Sequence, residues 1–307
     1  MSSARYHPGE VQAHRLAGLV DQAEHSRLAI RSTFPAAATD FLKAQPMLVL
    51  SAADAEEHVW AALLSERPGF VSVADERTLD VHARPAPGDP LGTVLGNPAQ
   101  VGAIAIEPGT RRRMRVNGSS RPTETGLRII ADQVYANCPK YIGQRSPWQV
   151  DDQGAPTAPL VATALDQEQH RLITSADTFF VGTRSAEGDL DASHRGGSPG
   201  FVRVHDATSL SWPDYTGNAM LMTLGNLLQD PAAGLLFIDW DSGSTLQLSG
   251  TARTDWTPGT SAPPGAQRLL HFDIDRVVQQ DGVSALRWTP PALSRSNPPL
   301  PAPMGTA

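Results

Sequence analysis

Cysteine is almost missing from this chain. Its 307 residues hold one, Cys138, which excludes an internal disulfide and any thiolate zinc cage. Lysine is nearly as scarce, with Lys43 and Lys140 alone, so positive charge here means arginine. An excess of base is also absent. Lys and Arg total 25 against 32 Asp and Glu, a net charge of −7, and the basic stripe of a nucleic-acid surface is not there. The one basic run, Arg111-Arg112-Arg113 with Arg115, is short. No stretch approaches the roughly 20 apolar residues of a membrane span, and Met1 to Glu10 lacks the apolar core of a signal peptide. Nine histidines show no His-Glu-x-x-His spacing, so no metal site is expected. Gly-x-Ser-x-Gly, a phosphate-loop lysine and Gly-x-Gly-x-x-Gly are all absent, which removes the usual support for hydrolase, NTPase and Rossmann readings. A reducing, cytoplasmic setting with no nucleic-acid or membrane partner is the expectation.

What is present is a β pattern. Glu10 to Ser32 spaces its apolar residues as an amphipathic helix does. After Pro46 come short runs rich in Val, Ile, Leu, Phe and Thr, bounded by turn residues: 47–53, 58–64, 69–73, 78–82 and 101–106. They resume at 178–183, 189–194, 200–204, 208–212, 234–240 and 244–253. The two sets repeat. Pro68-Gly69-Phe70-Val71-Ser72-Val73 returns 131 residues later as Pro199-Gly200-Phe201-Val202-Arg203-Val204. Further on, Val101 to Ile106 matches Gly234 to Asp239 with the register slipped by two. Each unit has the size of a small closed barrel. The fold class is therefore mainly β, β-barrel with a few helices, in two tandem units.

The units differ in polarity, and the difference points to a site. Val59 to Leu64 is apolar, whereas its counterpart reads Leu190-Asp191-Ala192-Ser193-His194-Arg195-Gly196. Arg195 offers a bidentate fork for phosphate, with Ser193 and His194 as neighbouring donors. A second cluster runs Ser211-Trp212-Pro213-Asp214-Tyr215-Thr216-Gly217-Asn218 into a short helix carrying Thr223, Gly225 and Asn226. Helix starts favour anions, and one N-cap would not need so many polar residues. Asp239-Trp240-Asp241-Ser242-Gly243 reads as a hairpin turn, and Cys138 as a buried thiol.

Tyr6-His7-Pro8-Gly9-Glu10, Asn137-Cys138-Pro139-Lys140-Tyr141-Ile142, Asp191 to Phe201, Pro213-Asp214-Tyr215-x-Gly217-Asn218 and Leu224-Gly225-Asn226 form a recognisable set. The chain resembles the pyridoxamine 5′-phosphate oxidase-like, FMN-binding split-barrel family, in its long bacterial members with two barrel-like halves. The resemblance runs from about residue 5 to residue 288. It implies tandem six-stranded split barrels with FMN held between two barrels, here within one chain, with homodimerisation open. The halves would be 41–142, degenerate, and 170–288, flavin-binding. Around them lie an N-terminal helical segment 1–40, a linker 143–169 and a disordered Pro-rich tail 289–307. It further implies an FMN-dependent oxidoreductase, with hydride passing through the flavin N5 to or from a small organic substrate. By position, Asp191, Ser193, His194, Arg195, Trp212, Pro213, Asn218, Thr223, Gly225 and Asn226 would bind the cofactor. His194, Asp214 and Tyr215 would be catalytic. Met222-Thr223 stands where the oxidase itself carries a basic pair, which sets this chain apart from pyridoxamine phosphate oxidation proper. A non-catalytic flavin or haem carrier or sensor, and a deazaflavin-dependent reductase, remain alternatives.

Overall fold

The computed structural model describes residues 6–150, 154–260 and 262–299. The amphipathic stretch at the start is two helices rather than one, α1 (Pro8–Ala17) and α2 (Val20–Arg27). Gly18 ends α1 in the left-handed conformation at φ 65°, which glycine adopts without a Cβ penalty. His7 is the N-cap. Its ring accepts from the Gly9 N–H while Glu10 reaches back to the His7 N–H, a capping box that starts α1 two residues earlier than the periodicity indicates. A third helix, α3 (Ala36–Lys43), buries Ala38, Phe41 and Leu42 against the first barrel.

The first barrel comprises β1 (Met47–Ala53), β2 (Val59–Ser65), β3 (Val71–Val73), β4 (Thr78–Val81), helix α4 (Leu91–Val94), β5 (Ala99–Glu107), β6 (Arg112–Pro122) and β7 (Leu127–Ala136). Its antiparallel sheet runs β2-β1-β5-β6-β7-β4-β3. After β8 (Pro147–Gln149), β9 (Leu160–Ala162) and helix α5 (Gln167–Ser175) the pattern repeats. The second barrel has β10 (Thr178–Arg184), β11 (Leu190–Gly196), β12 (Arg203–Asp206), β13 (Ser209–Tyr215), helix α6 (Met222–Leu227), β14 (Ala232–Ile238), β15 (Thr245–Asp255) and β16 (Ala266–Gln280). Its order, β11-β10-β14-β15-β16-β13-β12, is the same one, with β9 added beside β16. Each path holds seven strands where six were expected, the short β3 and β12 each forming one end.

Two glycine pairs give the true register. Gly102 on β5 corresponds to Gly234 on β14, each against the other barrel, and Gly118 and Gly250 both sit at bulges. Both pairs are 132 apart, so the repeat slips by one residue rather than two. The distinction matters because an odd error exchanges the core and outer faces of a strand.

Burial falls into three layers. Leu48, Leu50, Val101 and Val116 fill the first barrel, and Phe179, Trp212, Phe237 and Phe272 the second. Between the barrels lie Val49, Leu63, Ile104, Phe180, Leu236 and Ile238. These strands are apolar on both faces because both faces are covered. Segment 143–169 is more than a linker: β8 pairs with β17 (Leu286–Trp288), and β9 extends the second sheet. The tail departs from expectation as well. Over 289–299 it folds back, with Gln144 and Ala292 exchanging backbone hydrogen bonds, because its prolines pack where no further strand N–H is needed. Residues 300–307 lie outside the described residues. Among the described residues no helix is long and apolar enough to cross a membrane.

Candidate functional site

A cleft opens where β11 of the second barrel meets β6 of the first. His194 and Arg195 reach it from β11, Arg113 and Arg115 from β6. Alternation along β6 places Val116 in the barrel interior and Arg113 and Arg115 on the outer face, toward β11. Segment 137–141 forms one rim and residues 213–224 the other.

Charge is concentrated here. Arg115 donates to Asp191 Oδ2 at 3.3 Å, a buried ion pair. Arg113 donates to His194 Nδ1 at 2.7 Å and to the Cys138 carbonyl at 2.7 Å, and has no carboxylate partner among the described residues. Arg195 reaches the His194 carbonyl at 3.2 Å. Burial first, then Arg115 and Arg195, lower the pKa of Arg113; burial also lowers that of Arg195, against the opposing pull of Asp214. Because arginine only donates, His194 Nδ1 must accept, so the ring proton sits on Nε2. Burial first, then Arg113 and Arg195, hold His194 well below its usual pKa and therefore neutral. Its Nε2–H, and the Nε–H groups of Arg113 and Arg195, have no partner among the described residues. Unpaired donors of this kind cost free energy unless an acceptor meets them.

Strain gathers at the same place. Of five non-glycine residues with positive φ among the described residues, Tyr141 (65°), Ala219 (61°) and Leu221 (51°) line this cleft. Left-handed backbone at such residues persists only where its surroundings over-determine it, as at functional sites. Tyr141 packs on Tyr215 with ring centroids 5.1 Å apart, and burial pushes the Tyr215 hydroxyl up to about 12. That hydroxyl stays protonated and has no partner among the described residues.

The expected site residues divide into two groups. His194, Arg195, Pro213, Asp214, Tyr215, Asn218 and Thr223 line the cleft. Asp214 is paired with Arg268 at 2.8 Å. Trp212 does not line it: its side chain is fully buried in the second barrel, edge-on to Phe179 at 5.3 Å, because it alternates with Pro213 and points the other way. Gly225 is a packing glycine. A Cβ there would lie 2.6 Å from Glu10 Cα, so α1 could not seat on α6. Asn226 turns to His7 at 2.8 Å and Thr183 at 3.0 Å, away from the cleft. Asp191 and Ser193 are buried behind it, with Ser193 Oγ 2.7 Å from Thr223 Oγ1.

The sequence reading misses the first barrel's share. Arg113, Arg115, Asn137, Lys140 and Tyr141 all belong to it, and Cys138 lines the cleft half-buried rather than sitting in a core. The Arg111–Arg115 run is the visible signal, and β6 aims its alternate members at β11. Elsewhere, among the described residues, Asp54, Glu56 and His58 bring potential metal ligands within 4.8 Å. The Asp54 carboxylate, however, is already occupied by the Glu56 and His58 N–H groups and by Trp60.

The repeat places a second, equivalent cleft between β2 and β15, and it is filled. Leu63 and Leu64 stand for His194 and Arg195, and Thr245 and Gln247 for Arg113 and Arg115. Gln247 donates to the Ala61 carbonyl at 2.9 Å and to Asp89 at 3.1 Å.

Behind the cleft, Glu10 is buried with its carboxylate accepting from the His7 N–H at 2.7 Å. Burial raises its pKa to about 8. The native state therefore binds this proton more tightly than the unfolded chain does. Its contribution to stability is complete below the ordinary glutamate value of 4.5 and is lost as pH rises through 8. Denaturant titrations at pH 5, 7 and 9 should show stability falling by up to about 1.4 kcal/mol per pH unit over that window. Glu10→Gln should lose this dependence, and an unchanged slope in that variant would place the titration elsewhere.

Residues 165–279 match the sequence profile of the pyridoxamine 5′-phosphate oxidase family. No curated protein matches the chain. Among solved structures it is similar to tagged HupZ from Group A Streptococcus, at 16% identity over 37% of this chain and 91% of that one, with a TM-score of 0.29. It is also similar to an FMN-binding protein from Syntrophomonas wolfei, at 11% identity over 36% and 84%, TM-score 0.29. A third is a protein from Clostridium acetobutylicum described as of the pyridoxinephosphate oxidase family, at 20% identity over 35% and 81%, TM-score 0.27. Each covers little more than a third of the chain, about one barrel. The segment that matches the pyridoxamine 5′-phosphate oxidase family, residues 165–279, is the barrel that supplies His194, Arg195 and Thr223.

Proposed function

We propose that the cleft holds FMN and that the chain is a flavin-dependent oxidoreductase acting on a small organic substrate. One observation carries this reading: Arg113, Arg195 and His194 converge on the cleft with N–H donors that have no partner among the described residues, and none of the three is hydrogen-bonded to a carboxylate there. An uncompensated guanidinium in a partly dry site is costly, and a phosphate dianion would satisfy two of them with charge-assisted hydrogen bonds. The donor set fits the group. Arg113 and Arg195 would hold the phosphate, with Thr223 and Asn218 as neutral donors. Bound flavin would supply the hydride chemistry. His194, fixed as the Nε2–H tautomer by Arg113, would donate a hydrogen bond without carrying charge. Tyr215 would offer its protonated hydroxyl to the substrate, and the Tyr141–Tyr215 pair would exclude water from one wall. Asp214, committed to Arg268, orients that guanidinium rather than transferring a proton.

The test is a titration of the purified chain with FMN and with riboflavin, which lacks the phosphate, followed by flavin fluorescence. FMN should bind at least about 30-fold more tightly, at one per chain. Anaerobic mixing of the reduced holoprotein with candidate acceptors then reads turnover. Equal affinity for the two flavins would remove the phosphate assignment. A Soret band in the purified protein would move the ligand to haem, and preference for a deazaflavin would keep the phosphate site but change the redox partner.

A further inference from the structure

A chain of hydrogen bonds leads from the cleft to the N-cap of α1. Asp191 Oδ2 receives Arg115 at 3.3 Å, and the Ser193–Thr223 hydroxyl pair, 2.7 Å apart, has one hydrogen left for it, given by Thr223 at 3.4 Å when Ser193 donates to Thr223; both Arg115 and Thr223 line the cleft. The other oxygen, Oδ1, receives Thr183 Oγ1 at 2.5 Å. Thr183 in turn receives Asn226 Nδ2 at 3.0 Å, and Asn226 Oδ1 meets His7 Nε2 at 2.8 Å. Asp191, Ser193, Thr183 and Asn226 are all buried.

The donor directions follow from the first link. Gly9 N–H donates to His7 Nδ1 at 3.2 Å, so the neutral ring carries its proton on Nε2 and gives it to Asn226 Oδ1. That orients the amide with Nδ2 toward Thr183, and leaves the Thr183 hydroxyl hydrogen for Asp191. Every bond points the same way, from the N-cap of α1 to the carboxylate. Reversing any link leaves a buried polar group unpaired, which makes the arrangement all-or-none.

We infer that His7, although it lies outside the cleft, is a positioning residue for the anion site, acting through Asn226, Thr183 and Asp191. The inference rests on the reading that the cleft takes a phosphate group. Asp191 seats Arg115 and Thr223, and the relay from α1 restrains Asp191 from behind. Without His7, Asn226 loses the partner that turns its amide toward Thr183, and the Thr183 hydroxyl is no longer steered to Asp191; without Thr183, Asp191 is held only from the cleft side. The charges are untouched and only their placement changes.

Histidine at position 7 also caps α1, so the test must separate capping from relaying. Asparagine is a good N-cap but too short to reach Asn226. His7→Asn should keep the melting temperature of the wild type and weaken FMN binding about five- to tenfold. His7→Ala should weaken binding equally and lower the melting temperature as well. Thr183→Val breaks the relay in the middle and should match His7→Asn. The double variant His7→Asn/Thr183→Val should bind no worse than the weaker single one, because both sever one path. Wild-type affinity in His7→Asn, or losses that multiply in the double variant, would overturn the inference.

The same series titrated calorimetrically with inorganic phosphate keeps this separate from the flavin reading. If the wild type binds phosphate but no flavin, a loss shared by His7→Asn and Thr183→Val sustains the relay and ends the flavin assignment. Phosphate affinity that ignores both variants ends the relay alone. A wild type that binds neither ligand ends both.

Discussion

Arg195→Ala should lose about 30- to 100-fold in FMN affinity, close to 2–3 kcal/mol, while riboflavin affinity moves little. The magnitude is that of a charge-assisted hydrogen-bonding group removed from a partly buried site. Arg195 has no carboxylate partner among its hydrogen bonds, and its removal takes only one donor from the His194 carbonyl. A second effect has the opposite sign. Without ligand, Arg195 is a desolvated cation, and burial, with Arg115 adding to it, lowers its pKa despite the opposing pull of Asp214. Removing it should raise the melting temperature of the ligand-free protein even as binding falls, the usual trade of stability against a working site. Denaturation with and without FMN reads both effects. Undiminished FMN binding in Arg195→Ala would sink the phosphate assignment. Weaker binding accompanied by lower ligand-free stability would instead make Arg195 a structural residue.

Gly102→Val should cost about 3 kcal/mol or more of stability and abolish flavin binding together. A Cβ at Gly102 meets the backbone of Asp191 and Ala192, where the strand of one barrel passes over that of the other. Backbone cannot step aside as a flexible side chain can, so either β5 and β11 separate or the sheet distorts. Both outcomes displace Asp191, and with it Arg115. Gly92→Ala is the control: no atom lies within 4 Å of its added Cβ, and it sits in α4, so it should be neutral or mildly stabilising. Gly102→Val with wild-type denaturation and wild-type binding would mean that this crossing does not hold the barrels together.

The fold is legible where a strand is covered on both faces or repeats closely. β1, β2, β10 and β11 show as compact segments, and the Pro-Gly-Phe-Val copies expose the duplication. β6, β7 and β16 escape the strand pattern. Their outward faces carry arginine, aspartate and glutamine, which break the apolar signal even though the inward residues Val116, Ile129 and Phe272 alternate correctly. The site is half legible for a related reason. Comparing the two copies isolates His194 and Arg195, because only polarity differs between otherwise matching strands. Arg113 and Arg115 escape that comparison because β6 itself is not read as a strand, so their counterparts Thr245 and Gln247 are never set against them. Trp212, Gly225 and Asn226 are misplaced because proximity in sequence says nothing about face. On β13 adjacent residues point to opposite sides, so Pro213 reaches the cleft and Trp212 the core.

The two barrels that form the cleft are covalently one chain, and the equivalent cleft is closed by Gln247 and Asp89. A site shared between separate subunits exists only at concentrations where the subunits pair, so its apparent affinity falls on dilution. Here the second wall is tethered, and its effective concentration is set by the chain, whatever the amount of protein present. Occupancy should follow ligand alone, down to nanomolar protein. Closure of the other cleft also lets Leu63, Leu64 and Thr245 answer only to packing, and leaves the polar wall on β6 and β11 as the one for which a single bound molecule per chain is proposed.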